Sequence, residues 1–273
     1  MLKNRLITAL LLSTVFLGAL YTLSDLMWAL FLLVFIVIAG WEWGGLTGYA
    51  RTGRLVFAGC VLFSGLLLLP EMSVLEVLHH RATAFFMVAS AVFWLLIAPI
   101  WLLRGWQLRN AVLGVVVGFL LLLPAWLALI ELRHIGPGAV LIVMLTVALA
   151  DSAAYFSGKR FGRHKLAPHI SPGKTWEGLF GALIAVSVFA AGLCLQLHWN
   201  LWFVIGFMAI VILSVMGDLF ESLIKRQAGK KDSGSILPGH GGVLDRIDGL
   251  TSTLPLVAFY AYLPFYLSVL ISR

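Results

Sequence analysis

Acidic, basic and hydroxyl side chains crowd into two short stretches of this chain, and their types suit the handling of a cation bound to phosphate. The later stretch begins Gly217-Asp218-Leu219-Phe220-Glu221-Ser222-Leu223-Ile224-Lys225-Arg226, passes through Lys230-Lys231-Asp232-Ser233, and ends Pro238-Gly239-His240-Gly241-Gly242-Val243-Leu244-Asp245-Arg246-Ile247-Asp248. Asp245 and Asp248 stand three residues apart, a spacing that puts both carboxylates on one face of a helix. Asp218 ends the preceding apolar run. Three carboxylates with serine hydroxyls close by suit a hard cation bound through oxygen, such as Mg²⁺. A plainer reading stands beside it: Asp245 and Asp248 pair with Arg246 and Lys231, or sit at a helix amino terminus where the macrodipole favours negative charge. Acids at the membrane edge are costly enough to mark function by default, which singles out Asp218.

Pro238-Gly239-His240-Gly241-Gly242 can bring its backbone close to an anion, because glycine lacks a Cβ and reaches positive φ easily. Feeding a helix amino terminus, such a turn would cradle a phosphate, with Lys225, Arg226, Lys230, Lys231 and Arg246 at hand to neutralise it. His240 reads equally well as a turn residue, a metal ligand or a base. The earlier stretch runs from Asp151 to Gly178. Its Gly173-Lys174-Thr175 imitates the end of a P-loop, but that motif needs a glycine where Pro168 stands. Ser171-Pro172 reads as a helix start, serine capping and proline in the first turn, aiming N–H groups and Lys174 at an anion. Lys159, Arg160 and Arg163 are the positive charge expected of a loop on the inner side of a membrane.

The elements that hold these stretches must be membrane helices. Of 273 residues, 61% are hydrophobic and only 11% charged, against roughly 25% charge in a soluble domain. The apolar residues form nine blocks: Leu6–Leu23, Leu26–Trp41, Leu55–Leu69, Ala82–Leu103, Ala111–Ile130, Gly138–Ala150, Gly178–Leu197, Leu201–Gly217 and Leu250–Ile271. This predicts an all-α polytopic membrane bundle of about nine transmembrane helices, in one membrane domain. The first apolar run lacks a small-x-small cleavage site and reads as an uncleaved span. Cys60 and Cys194 fall inside spans and assemble neither a disulfide nor a zinc site. With nine spans, all but Arg81, Arg133 and Arg273 of the 19 lysines and arginines lie on one side. That excess reports orientation rather than nucleic-acid binding: amino terminus and both polar stretches cytoplasmic, carboxy terminus on the opposite, periplasmic side.

The run from Ser222 to Asp248, with Ser222, Lys225-Arg226, Lys231-Asp232, Pro238, His240-Gly241-Gly242, Asp245-Arg246 and Asp248, resembles the signature of the phosphatidate cytidylyltransferases, or CDP-diacylglycerol synthases. Asp151-Ser152, Tyr155, Gly158, His164-Lys165-Leu166, Pro168 and Ser171-Pro172-Gly173-Lys174-Thr175 resemble the bacterial members. The likeness is dense from about Asp151 to Ala261; before that it rests on hydropathy, length and Trp41-Glu42-Trp43. It implies transfer of a cytidylyl group from CTP to phosphatidate in a bacterial inner membrane, with residues 1–150 as a lipid-facing scaffold and residues 151–273 as the catalytic part. It implies Asp218, Asp245 and Asp248 as Mg²⁺ ligands and Lys225, Arg226, Lys231 and Arg246 as phosphate-neutralising groups. Asp151, Ser171, Lys174, Thr175, Ser222, His240, Gly241 and Gly242 would contact substrate. A second cation such as K⁺ and a homodimer come with the resemblance alone.

Two other readings differ in kind. A secondary transporter would carry polar groups near mid-bilayer and paired hydropathy halves, whereas these acids lie at the ends of spans. Another lipid-phosphate enzyme, a polyprenol kinase or a CDP-alcohol phosphotransferase, shares the chemistry. The latter needs D-x-x-D-G-x-x-A-R, and Ser252 and Thr253 stand where Ala and Arg are required.

Overall fold

The computed structural model describes residues 2–69, 76–237, 239 and 241–271; Pro238, His240 and Arg273 lie outside them. Its helices are α1 (Leu2–Thr22), α2 (Asp25–Leu46), α3 (Arg51–Leu67), α4 (Glu76–Val92), α5 (Ala98–Arg104), α6 (Ala111–Ile135), α7 (Pro137–Phe161), α8 (Trp176–Gln196), α9 (Phe203–Gln227) and α10 (Leu244–Ile271). Each of the nine apolar blocks falls on a helix, the fourth on α4 and α5 together, which a π-helical turn at Phe93–Ile97 joins into one rod. Pro99 accounts for that turn: its ring has no N–H and would clash with the carbonyl four residues back in a regular helix. Among the described residues, six rods are long and apolar enough to cross a membrane: α2, His80–Arg104, α6, α7, α8 and α9. The protein is an all-α polytopic membrane bundle.

Helices extend further than the apolar blocks. Asp151 lies within α7 and Asp218 more than two turns before the end of α9, because a helix carries on past the apolar run once its polar face finds partners. The stretch 165–175 departs from the all-helical expectation. Lys165–Ala167 (β1) and Ser171–Thr175 (β2) pair antiparallel, Lys165 opposite Thr175. Ser171-Pro172 therefore does not start a helix. The cap of α8 is Thr175, whose Oγ1 accepts the Gly178 N–H at 3.1 Å. Proline at an edge of a two-stranded ribbon leaves no ladder donor missing.

Buried indoles tie the bundle together. Trp43 donates to the Gly114 carbonyl at 2.9 Å, Trp126 to Ala29 at 2.9 Å and Trp94 to Thr251 at 3.1 Å, each giving a membrane-buried N–H the partner it needs. Phe93, Trp94 and Trp101 set their rings edge-on to Phe220, with centroids 5.3, 5.7 and 5.6 Å away, so the π-helical rod holds α9 in place. The loops after α2, α5, α7 and α9 meet at one end of the bundle. Gln227 joins α9 to the 105–110 loop through Trp106 and Leu108, Lys230 donates to the Gly45 carbonyl, and Arg226 to that of Ile170. At the opposite end, Arg133 of α6 donates to the carbonyls of Leu20, Leu23 and Ser24 between α1 and α2.

Candidate active site

The site is built where α9 crosses α10 at unusually short range. A Cβ on Gly217 would lie 2.5 Å from the Asp248 carbonyl oxygen and from Ser252 Oγ, and one on Gly249 would lie 2.5 Å from Ser214 Oγ. Small residues that let two membrane helices touch backbone to backbone are a recognised packing device, here strengthened by Ser252 Oγ, which donates to the Leu213 carbonyl at 2.7 Å. The crossing places Asp218, next to Gly217, beside Asp248, next to Gly249.

Asp218 is flanked on its own helix by Ser222, whose hydroxyl donates to Oδ1 at 3.1 Å, and from β2 by Lys174, whose Nζ is 2.6 Å from Oδ2. The hairpin thus presents Lys174 to α9, held by Glu177, which accepts the His164 N–H and contacts its ring at 2.7 Å. A cleft of about 430 Å³ opens beside this pair, lined by Asp151, Lys159, Ser171, Lys174, Thr175 and Asp218 among others. Of the residues expected there, the structure brings together Asp151, Ser171, Lys174, Thr175 and Asp218, with Ser222 touching Asp218 from behind.

Asp245 has a different setting. Its Oδ1 receives the Lys225 ammonium at 2.7 Å, and its Oδ2 accepts the Gly242 N–H at 2.8 Å, the Ser233 N–H at 2.9 Å and the Ser233 hydroxyl at 3.0 Å. It stands ahead of the apolar run that begins at Leu250. Burial opposes its charge, but Lys225 and the two N–H donors outweigh burial and hold the carboxyl below its usual range. Asp248, also ahead of Leu250, is the contrary case. Burial first, then the charge of Asp218, push its carboxyl up to about 7, against the Gly249 N–H, Lys225 and Lys174. The pairing of Asp245 and Asp248 with Arg246 and Lys231 does not form. Lys225 takes that role for Asp245, and Lys231 and Arg246 are exposed.

The glycine-rich turn also differs from the anion cradle expected of it. The N–H groups of Gly242, Val243 and Leu244 donate to Asp245 and to Glu42, a buried carboxylate on α2, so the protein's own acids occupy the amino terminus of α10. Gly241 has φ +80°, the left-handed turn that glycine permits. Arg226 is held by the Ile170 and Lys230 carbonyls, fastening hairpin and loop to α9. Glu221, one turn from Lys225, is buried with its Oε1 3.3 Å from the ammonium, and neither oxygen accepts a hydrogen bond. Sequence reasoning passed over Glu221 and used Glu42 only as part of Trp41-Glu42-Trp43. An acid inside an apolar run was the available signal for both.

The chemistry of these donors fits Mg²⁺. Asp218 and Asp248 are oxygen donors crowded enough to repel, with an unsatisfied buried carboxylate at Glu221 close by. No three His, Cys, Asp or Glu among the described residues are grouped so as to hold a metal ion, yet Mg²⁺ generally takes one or two carboxylates and fills its shell with water and substrate phosphate. Asp245, whose two oxygens take four donors, has less capacity left for a metal than Asp218, which has one partner on each oxygen.

Comparison with known proteins accords with this arrangement. The sequence profile of the cytidylyltransferase family matches residues 3–264. The chain belongs to the cytidylyltransferase family. It is 40% identical to a phosphatidate cytidylyltransferase of Pseudomonas aeruginosa, over 94% of this chain and 96% of that protein. It is 34% identical to the one from Haemophilus influenzae, over 97% and 99%. A phosphatidate cytidylyltransferase of Staphylococcus epidermidis is 43% identical across 46% of this chain and 50% of its own length. For this cytidylyltransferase, the match reaches through the amino-terminal helices that carry Glu42, so it covers more than the stretch of dense polar likeness.

Proposed function

We propose that the protein transfers the cytidylyl group of CTP to phosphatidate, giving CDP-diacylglycerol and pyrophosphate, at the cytoplasmic face of a bacterial inner membrane. One observation carries the reading: the Asp218–Lys174 corner, beside Asp248, sits at a cleft that Asp151 and Lys159 also line, while Arg246 stands in the wall of a separate apolar groove. That groove, about 510 Å³, is bounded by Phe16, Phe31, Leu129, Met144 and Leu254 and includes Arg246 in its wall. Arg246 also acts electrostatically on Asp151 in the first cleft. A nucleotide on one side and a diacyl lipid on the other would meet there, phosphate against guanidinium, which suits Arg's forked donors.

A phosphate oxygen of phosphatidate is already anionic at neutral pH and needs no general base. It attacks the α-phosphorus of CTP, the bond from that phosphorus to the bridging oxygen breaks, and pyrophosphate leaves. The protein's task is alignment and charge neutralisation. Lys174 and Arg246 would hold the phosphates from two sides, and Ser171, Thr175 and Asp151 would line the nucleotide side. Asp218 and Asp248 would hold Mg²⁺; when bound, the ion neutralises charge on the phosphates and the departing pyrophosphate. Lys225 and Asp245 fix the frame in which Asp248 stands.

Purified protein incubated with CTP, phosphatidate and Mg²⁺ is expected to form a lipid-soluble cytidine product that disappears with EDTA. Failure to form it, with the protein folded and both substrates present, overturns the reading.

A further inference from the structure

Glu42 is a fully buried charge to which the reaction assigns nothing. It lies 191 residues before Ser233, on a different helix from every acid discussed above, and is 3% exposed. Its Oε1 accepts the Val243 N–H at 3.1 Å. Its Oε2 accepts the Leu244 N–H at 2.8 Å and the Ser233 hydroxyl at 3.1 Å. Charge-assisted bonds of this kind stabilise a buried carboxylate, and they also fix whatever donates them. Helix starts are ordinarily capped from within, by the residue just ahead of the first turn. Here the cap comes from α2, so the first turn of α10 is tied to a helix in the amino-terminal part of the chain.

The loop is shaped around this carboxylate. A Cβ on Gly234 or on Gly242 would run into it. Ser233 then carries the contact onward, since its hydroxyl touches both Glu42 Oε2 and Asp245 Oδ2. Asp245 takes Lys225 on its other oxygen, and Asp248 follows three residues later along the same helix.

We infer that Glu42 is a positioning residue for cytidylyl transfer: by holding Ser233 and the first turn of α10, it sets the direction in which Asp248 faces Asp218. The inference rests on the transferase reading above. The groups that would bind CTP, Lys174 and the lining of the cleft, are fastened by the hairpin and α9 rather than by Glu42, whereas Arg246, on the lipid side, shares the first turn of α10 that Glu42 holds. Loss of Glu42 should therefore loosen alignment more than CTP binding. Misplacement by about 1 Å can lower a rate about a hundredfold, and a fault confined to alignment shows in kcat.

Glu42→Gln keeps size and shape but turns an NH₂ toward a donor. Expected is a fall in kcat of roughly tenfold to a hundredfold, with KM for CTP within about threefold of the parent, in protein that still shows a cooperative melt. Ser233→Ala removes the hydroxyl that bridges Glu42 and Asp245, leaving Glu42 its two backbone donors and Asp245 the Ser233 N–H, and should give the same kcat-selective loss even where Glu42→Gln does not fold. Unchanged kcat in Ser233→Ala overturns the inference, as does a loss in either folded variant carried by KM for CTP. A parent protein unable to make the cytidine lipid overturns the transferase reading itself, and the inference with it.

Discussion

Replacing Lys225 by methionine removes the only ammonium within ion-pairing distance of Asp245 among the described residues. Lys225 is 8% exposed, with its Nζ 2.7 Å from Asp245 Oδ1 and 3.3 Å from Glu221 Oε1. Methionine fills nearly the same volume, so little of the effect is packing. What remains is a buried carboxylate, its side chain 6% exposed, without its counter-ion, and a second buried one that accepts no hydrogen bond. Breaking a buried pair from one side costs about 3–5 kcal/mol; at about 2–4 °C per kcal/mol for a chain of this size, Tm should fall on the order of 10 °C. Intrinsic fluorescence of the detergent-purified protein, which has 10 tryptophans, follows the transition. Adding Asp245→Asn should restore part of the loss, because the stranded charge is then gone. A Lys225→Met protein melting within about 2 °C of the parent would refute the reasoning.

Four further outcomes follow from the same geometry. Asp248→Asn and Asp218→Asn should each reduce cytidylyl transfer by about a hundredfold or more while the protein stays folded in membranes, read by product formation and by melting. Gly217→Val places methyl groups against the Asp248 carbonyl and Ser252, and should cost about 1–3 kcal/mol by overpacking, with a matching fall in Tm and activity. Arg246→Ala should raise KM for phosphatidate roughly tenfold or more, with a smaller change for CTP in initial-rate measurements. Leu254→Trp, which fills the apolar groove, should likewise weaken phosphatidate use and discriminate most against long acyl chains, measured with a chain-length series.

Much of this arrangement was legible because lipid makes polarity informative. In an apolar run, Asp218 stands out as it never would in a soluble protein, and the distribution of lysine and arginine brings the correct loops to one end without any knowledge of packing. The close approach of α9 to α10 was less visible. Gly217, Ser214, Gly249 and Ser252 look like ordinary small residues until the helices are set against each other. The hairpin at 165–175 was misread because serine followed by proline is a strong helix-start signal locally, and only pairing with Lys165–Ala167 makes it a strand. The donors around Asp245 were likewise invisible, because spacing shows which face a carboxylate shares but not what surrounds it. Glu42 carried the signal of an acid inside an apolar run, but its partners were out of reach: they lie 191 to 202 residues away, beyond any pattern that local spacing can reveal.

The central claim is that Asp218, Asp248 and their cationic neighbours serve transfer of the α-phosphorus of CTP, rather than phosphorylation of a lipid from the γ position. Parallel incubations with phosphatidate and CTP labelled at one phosphorus or the other separate the two. Label from the α position should enter the lipid fraction while γ label leaves as pyrophosphate. Label from the γ position recovered in lipid would contradict the account.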